Sequence, residues 1–194
     1  MSKHAVLVVG TPGVGKTVVS KLLTSKIDAL YINLAELARK ENLILSADKA
    51  RDTLIADIGK IAQRVSQILE SSERYVVIDG HYAMDVVSPN NVHAVFVLRR
   101  TPEELKKILE SRGFRKEKLW ENLAAEILDV CLWDAISACG SEKVCEIDIS
   151  SRNVEDTVKQ MISILHGKEQ CRVGIVDWLG KLEVENRLHE FLRI

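Results

Sequence analysis

Ala5-Val6-Leu7-Val8-Val9-Gly10-Thr11-Pro12-Gly13-Val14-Gly15-Lys16-Thr17-Val18-Val19 is the stretch whose reading decides the fold. Its first five residues are all apolar, as in a strand buried on both faces. Residues 10–17 satisfy G-x-x-x-x-G-K-[ST], and Val18, Val19, Leu22, Leu23 and Ile27 then form one helical face. Glycines in such a strand-to-helix turn let backbone N–H groups converge on phosphate oxygens, and the helix adds its positive dipole end at the same point. Lys16 supplies a point charge, Thr17 a hydroxyl for magnesium, and Val18 only its backbone N–H. The loop is therefore expected to hold the phosphates of ATP. A chance glycine-rich turn is the alternative, and the flanking strand and helix argue against it.

Outward from this turn, apolar runs of strand length alternate with segments of helical period, the signature of a parallel sheet flanked by helices. Strands are expected at 5–9, 30–32, 75–78, 92–98 and 144–149. Ile61, Ala62, Val65, Ile68 and Leu69 form a second helical face. Thr101-Pro102-Glu103-Glu104 combines a capping side chain, a proline at the first helical position and a glutamate at the third, opening a helix to about residue 111. Asn33 with Glu36 predicts a short helix through about residue 40. From about 116 to 138, Leu123, Ile127, Cys131 and Ala135 recur every fourth residue, which predicts the longest helix of the chain. Trp178, Leu182, Leu188, Phe191 and Leu192 make a last amphipathic stretch, to pack on the core or on a partner.

Several side chains near strand ends bear on chemistry. Asp79 ends an apolar run and so projects from the carboxyl edge of a central strand, where a carboxylate can hold magnesium or its waters; a solvated turn aspartate is the bland alternative. His81 follows in Asp79-Gly80-His81, placed to orient a water or contact the acceptor, or else merely packed. Phosphoryl transfer also needs cations on segments that close over substrate. Arg39 lies in a long insert that suits an acceptor-binding flap. Arg112, Arg115 and Lys116 flank Gly113 between two helices, the composition of a small lid, and Arg112 is either a nucleotide contact or a solvated helix end. Of the adjacent Arg99 and Arg100, at most one is expected to face the site.

A length of 194 residues suits one domain able to bury a core without disulfides or metals. Hydrophobic residues at 46% and charged residues at 28% fit a globular chain and exclude disorder. No basic leader is evident, and no stretch reaches the roughly 20 apolar residues of a membrane span, so no membrane contact and a cytoplasmic location are expected. Cys131, Cys139, Cys145 and Cys171 are too irregularly spaced for a zinc site, and their apolar neighbours predict buried thiols. A net charge of −1 gives no global field for nucleic acid. Local RNA contact would rest on residues 99–118, where eight basic residues meet four acidic ones, a surplus that a solvated helix face explains equally well.

Taken together, residues 10–17, Tyr31-Ile32-Asn33-Leu34 with Arg39, Asp79-Gly80-His81, Val97-Leu98-Arg99, Glu110-Ser111-Arg112-Gly113-Phe114 and Glu121-Asn122-Leu123 leading into Glu126-Ile127-Leu128-Asp129-Val130 carry a specific likeness. On these the chain resembles, end to end, the adenylate kinase isoenzyme 6 family, small atypical adenylate kinases with ATPase activity and a role in ribosome assembly. The resemblance implies an α/β P-loop NTPase fold of adenylate-kinase-like type, with a five-stranded parallel sheet in one domain. It implies a nucleoside-monophosphate-binding segment at about 33–56, a lid at about 112–122 and a helical extension at about 174–194. It further implies ATP contacts at Gly13, Gly15, Lys16, Thr17, Val18 and Arg112. Val14 and Val18 depart from hydroxyl residues common in that family, and Gly80 and Tyr82 give His81 altered surroundings.

Two activities follow as expectations. In one, ATP and AMP, or another nucleoside monophosphate, become two diphosphates, with Lys16 and Arg112 neutralising the transferring phosphate, Arg39 on the AMP side, and Thr17 and Asp79 on magnesium. In the other, water is the acceptor, His81 orients it, and hydrolysis releases a platform protein of the small ribosomal subunit during maturation of the pre-ribosome. A nucleotide-gated interaction module with negligible turnover fits poorly with the presence of Lys16, Thr17, Asp79 and Arg112 together.

Overall fold

The computed structural model describes residues 4–48 and 53–193. Strand β1 (Ala5–Val9) runs into helix α1 (Lys16–Ile27), followed by β2 (Leu30–Asn33), α2 (Leu34–Lys40), a hairpin of β3 (Ile44–Asp48) and β4 (Thr53–Ala56), and α3 (Ile58–Ser71). Next come β5 (Val76–Asp79), α4 (Ala83–Val86), β6 (Val92–Arg99), α5 (Pro102–Ser111), α6 (Lys116–Ile127), α7 (Val130–Cys139), β7 (Val144–Asp148) and α8 (Val154–Leu165). Two short helices, α9 (Trp178–Val184) and α10 (Leu188–Phe191), come last.

Five strands form one parallel sheet in the order β2-β5-β1-β6-β7, and β3 pairs with β4 alone. Because side chains alternate across a strand, β1 divides its apolar residues between two cores. Val6 and Val8 pack with Leu23, Phe96, Leu105 and Leu123, while Ala5, Leu7 and Val9 pack with Leu34, Ile61, Val65 and Leu132. The five expected strands are all present with bounds shifted by at most a residue, since a run buried on both faces has no other stable place. Asn33 caps α2 as expected, its side chain accepting from the Glu36 N–H at 2.9 Å.

Five expectations are corrected. The helix predicted at 116–138 is two helices, α6 and α7, because Asp129 adopts a left-handed conformation (φ 57°), where its carboxylate accepts from the Arg99 guanidinium, instead of continuing the spiral. The longest described helix is α3, with 14 residues. Thr101 makes no side-chain cap on α5; Glu104 turns instead to Arg100 and Ser151. The cysteines are not all thiols: a backbone bond from Glu146 N to Arg172 O lays the segment after α8 beside β7, and Cys145 and Cys171, with Cα atoms 4.6 Å apart, form a disulfide. The stretch 178–192 is broken in two at Asn186 (φ 55°) and packs on the core: Trp178, Leu182 and Phe191 form a cluster with Ile127 of α6. Sequence reading also missed α8, although Asn153 caps it through Asp156 N–H at 2.7 Å, and the β3–β4 hairpin inside the long insert.

The element that ties these parts together is Arg99, at the carboxyl end of β6 and only 1% exposed. Its guanidinium pairs with Glu126 of α6 at 2.9 Å, with Asp129 between α6 and α7, and with Glu146 of β7. Neither it nor Arg100, which pairs with Glu104 and donates to Val14 O, is an uncommitted cation. Removing one member of a buried ion cluster strands the others uncompensated. Arg99→Met is expected to cost about 3–5 kcal/mol of folding stability. Chemical denaturation checks this, and a loss below about 1 kcal/mol, the range of an exposed pair, would sink the idea.

Candidate active site

The loop at residues 10–17 leaves the carboxyl end of central β1 with Gly10, Gly13 and Gly15 at φ 136°, 96° and 117°. Those values, not glycine's small size alone, require the residue type: side-chain-bearing residues rarely reach them. A Cβ on Gly10 would also lie 2.6 Å from the Leu98 carbonyl oxygen. Gly15 is the cap of α1, so the free N–H groups of that helix's first turn, Val18 among them, open onto the loop. Lys16 Nζ donates to the carbonyls of Gly10 at 2.7 Å and Thr11 at 3.1 Å. Burial pushes its pKa down, with Asp79, Cys131 and Glu126 pulling upward and Arg112 adding to the depression. A phosphate oxygen offers this ammonium a full negative charge in place of two carbonyl dipoles.

Parallel register brings Asp79 to the same edge. Val8 of β1 and Asn33 of β2 both sit opposite Asp79 of β5. The carboxylate, 2% exposed, accepts from Thr17 Oγ1 at 2.6 Å, Tyr31 OH at 3.0 Å and Asn33 Nδ2 at 3.0 Å. Tyr31 is pushed up to about 12, by burial first and by the neighbouring Asp79 charge among the rest, so it stays a donor. The Thr17–Asp79 pair is a hard-oxygen donor set. Among the described residues no group of three or more His, Cys, Asp or Glu is arranged to hold a metal ion by itself. A single carboxylate with a hydroxyl fits magnesium, which keeps waters and takes substrate phosphates as its remaining ligands.

Two residues past Asp79, His81 enters the lining of a pocket of about 470 Å³, to which Ala38, Ile44, Leu54 and Ile58 contribute apolar surface and Arg39, Tyr82 and Lys118 polar groups. Helix α2 brings Arg39, the β3–β4 hairpin brings the apolar wall, and α6 brings Lys118. His81 keeps a water-exposed face at this pocket, but surrounding protein atoms and the charges of Lys16 and Lys118 lower its pKa below the ordinary 6.5. It is therefore neutral at pH 7. Arg112 caps the end of α5 before Gly113 (φ 69°), exposed to solvent yet near enough to Lys16 to depress its pKa. The sequence-predicted residues thus fall into two adjoining groups: the loop, Thr17 and Asp79 at the sheet edge, and Arg39 with His81 around the pocket.

Glu126 escaped sequence reading as a site residue. It is 2% exposed, and its carboxylate accepts from Thr11 Oγ1 at 2.6 Å, Arg99 Nε at 2.9 Å, the Arg100 N–H at 3.1 Å and Trp178 Nε1 at 3.3 Å. The loop is thereby fastened to α6, β6 and α9 at once. An acid embedded between Leu123 and Ile127 on an apolar helix face was the available signal, because a lone buried carboxylate is untenable without partners.

A parallel sheet with helices on both faces and a phosphate loop at its central carboxyl edge is a P-loop NTPase fold. Shikimate kinase from Bacteroides thetaiotaomicron superposes with a TM-score of 0.57 at 15% identity, covering 84% of this chain and 98% of that one. Residues 6–129 match the family model described as an AAA domain. A Methanocaldococcus jannaschii protein named "Putative adenylate kinase" is 37% identical over 177 residues, covering 91% of this chain and 93% of that protein. A protein of the same name from Pyrococcus abyssi is 34% identical, with 97% of each chain covered. The chain belongs to this adenylate-kinase-like family within the P-loop fold.

Two outcomes are expected from the site's geometry. Gly10→Ala forces a Cβ against a backbone carbonyl that has no room to yield, so nucleotide-induced thermal stabilisation should disappear; a wild-type shift would show the turn to be adaptable. For His81, the folded pKa lies below the unfolded value, so its stabilising contribution is complete above pH 6.5 and is lost as pH falls through the folded pKa. Unfolding measured from pH 8 to 5 should show His81→Gln flattening part of the acid loss; identical pH profiles would contradict the assignment.

Proposed function

We propose that the chain is an adenylate kinase of broad nucleoside monophosphate specificity, moving the terminal phosphoryl group of ATP to AMP to give two ADP. The observation that carries this reading is the 470 Å³ pocket lined by a cation, Arg39, among apolar side chains, and by His81, which feels the charge of Lys16 in the phosphate loop. An enzyme acting on water alone has no use for an acceptor pocket of that size. Residues 33–56 act as the monophosphate-binding segment, of which 49–52 lie outside the described residues, and the 112–122 turn and helix start act as the lid. The C-terminal extension at about 174–194 covers α6 and the buried cluster.

Transfer needs no covalent intermediate: the bond from the γ-phosphorus to the β-bridging oxygen breaks as a bond to an AMP phosphate oxygen forms. Gly13, Gly15 and Val18 N–H groups with Lys16 hold the ATP phosphates. Arg112, from the lid turn, adds positive charge as the equatorial oxygens become more negative. Thr17 and Asp79 hold magnesium, which supplies charge neutralisation between the phosphates when bound. Arg39 grips the acceptor phosphate and so aligns the two reactants.

One observation supports hydrolysis as a second activity: neutral, water-exposed His81 stands at the pocket, able to accept a hydrogen bond from a water occupying the acceptor position. The resemblance to the isoenzyme 6 family extends that reading to an assembly ATPase acting on a small-subunit platform protein in the pre-ribosome, with a cytoplasmic place of work and local RNA contact through the basic residues of 99–118 other than Arg99 and Arg100, which are held in internal ion pairs. The described residues include no helix long and apolar enough to cross a membrane.

Incubation with magnesium and ATP, with and without AMP, while following ADP, AMP and free phosphate separately, tests the proposal. ADP rising at AMP's expense supports the kinase; free phosphate with AMP untouched overturns it in favour of the ATPase. Lys16→Ala is expected to lower turnover about 10²–10³-fold while remaining folded. Arg39→Ala should raise the KM for AMP about 10–100-fold with little change in the KM for ATP, the cost of one charge-assisted phosphate contact. Equal changes in both would place Arg39 elsewhere than at the acceptor.

A further inference from the structure

Helix α6 carries Lys118, Asn122 and Glu126 at four-residue spacing, which sets them on one face. Lys118 lines the pocket beside Arg39 and His81, and Glu126 holds Thr11 of the phosphate loop. Asn122 stands between them. It is 8% exposed, and its Nδ2 group has no hydrogen-bond partner among the described residues. Neighbours on its face offer no acceptor: Lys118 is itself a donor, and the Glu126 carboxylate already accepts from Thr11, Arg99, Arg100 and Trp178. Buried amide donors left unpaired are rare because their lost hydration goes uncompensated, and leucine, present on either side at Leu119 and Leu123, would fill such a position without that cost.

We propose that Asn122 is a phosphate-binding residue of the nucleotide site, its side-chain amide donating to an oxygen of a phosphate held between the loop at 10–17 and the Arg39 pocket. The identity of that phosphate rests on the kinase reading. A neutral donor on the same helix face as Lys118 orients an oxygen without adding charge, which favours alignment over tighter binding of every anion. The phosphate belongs either to the donor triphosphate or to the acceptor monophosphate, and the same chemistry serves both.

Asn122→Leu and Asn122→Asp test the assignment, with thermal unfolding with and without ADP and steady-state transfer as readouts. Without nucleotide the leucine variant should unfold at or above the wild-type temperature, since the group removed was unpaired. Its ADP-induced shift should fall to about half or less, and phosphoryl transfer by about tenfold, with the aspartate variant lower still through charge repulsion. A rise confined to the KM for AMP assigns the acceptor phosphate; a fall in kcat or a rise in the KM for ATP assigns the donor. Transfer within about twofold of wild type in both variants, with a full ADP shift, overturns the proposal. So does a leucine variant that melts early yet keeps the full ADP shift, because the side chain is then structural. Should the wild type make no ADP from ATP and AMP, the kinase reading fails, and the ADP shift of Asn122→Leu still decides the phosphate contact.

Discussion

The structure depends on the buried charge cluster around Arg99. One guanidinium at the carboxyl end of β6 is shared by Glu126, Asp129 and Glu146, and those carboxylates in turn hold the phosphate loop through Thr11 and the last segment through Ile175 N–H and Trp178 Nε1. Hydrophobic packing builds the two layers on the sheet, but it is non-directional and would tolerate many registers of α6 and α9. Ion pairs and hydrogen bonds in a dry interior are directional and costly to leave incomplete. The cluster therefore selects one arrangement. It also breaks the helix that would otherwise run through Asp129, turning α7 across the opposite face of the sheet from α6.

The site follows from that arrangement. A phosphate loop must present its N–H groups at fixed spacing, and a loop carrying three glycines at positive φ has little rigidity of its own. Its stiffness comes from outside: Glu126 bonds Thr11, Arg100 bonds the Val14 carbonyl, and Lys16 closes back on Gly10 and Thr11. On the neighbouring strand, Asp79 is steadied by Tyr31 and Asn33 from β2, leaving its position set by the sheet register and not by a mobile turn. The neighbouring pocket is built differently: its lining comes from a short helix, a two-stranded hairpin that stands outside the main sheet, and α6.

How much of this was legible in the sequence differs by element for physical reasons. Central strands were found nearly to the residue because burial on both faces forces continuous apolar runs, as at 5–9 and 92–98. The hairpin at 44–56 was not, since it lines an open pocket and leaves Leu45, Leu54 and Ile55 exposed, so that neither alternation nor a continuous apolar run announces it. A helical period of four carried the reading straight across Asp129, because periodicity records which residues are apolar and is blind to a single left-handed backbone. The pairing of Arg99 with Glu126 left no local mark, since their shared burial arises from elements 27 residues apart in the chain.

By itself, the sequence determined the sheet, the phosphate loop at its edge, and the identity of Lys16, Thr17 and Asp79 as the groups facing that loop, because each is fixed by local chemistry: backbone conformation, strand burial and position at a strand's end. Only the tertiary structure decided which cations are spent on internal pairs and which line the pocket, where the last helices lie, that Cys145 meets Cys171, and that Asn122 has a buried donor with nothing to bond. Those properties depend on what stands opposite each side chain across 20 or more residues of intervening chain, and no local pattern encodes that partner.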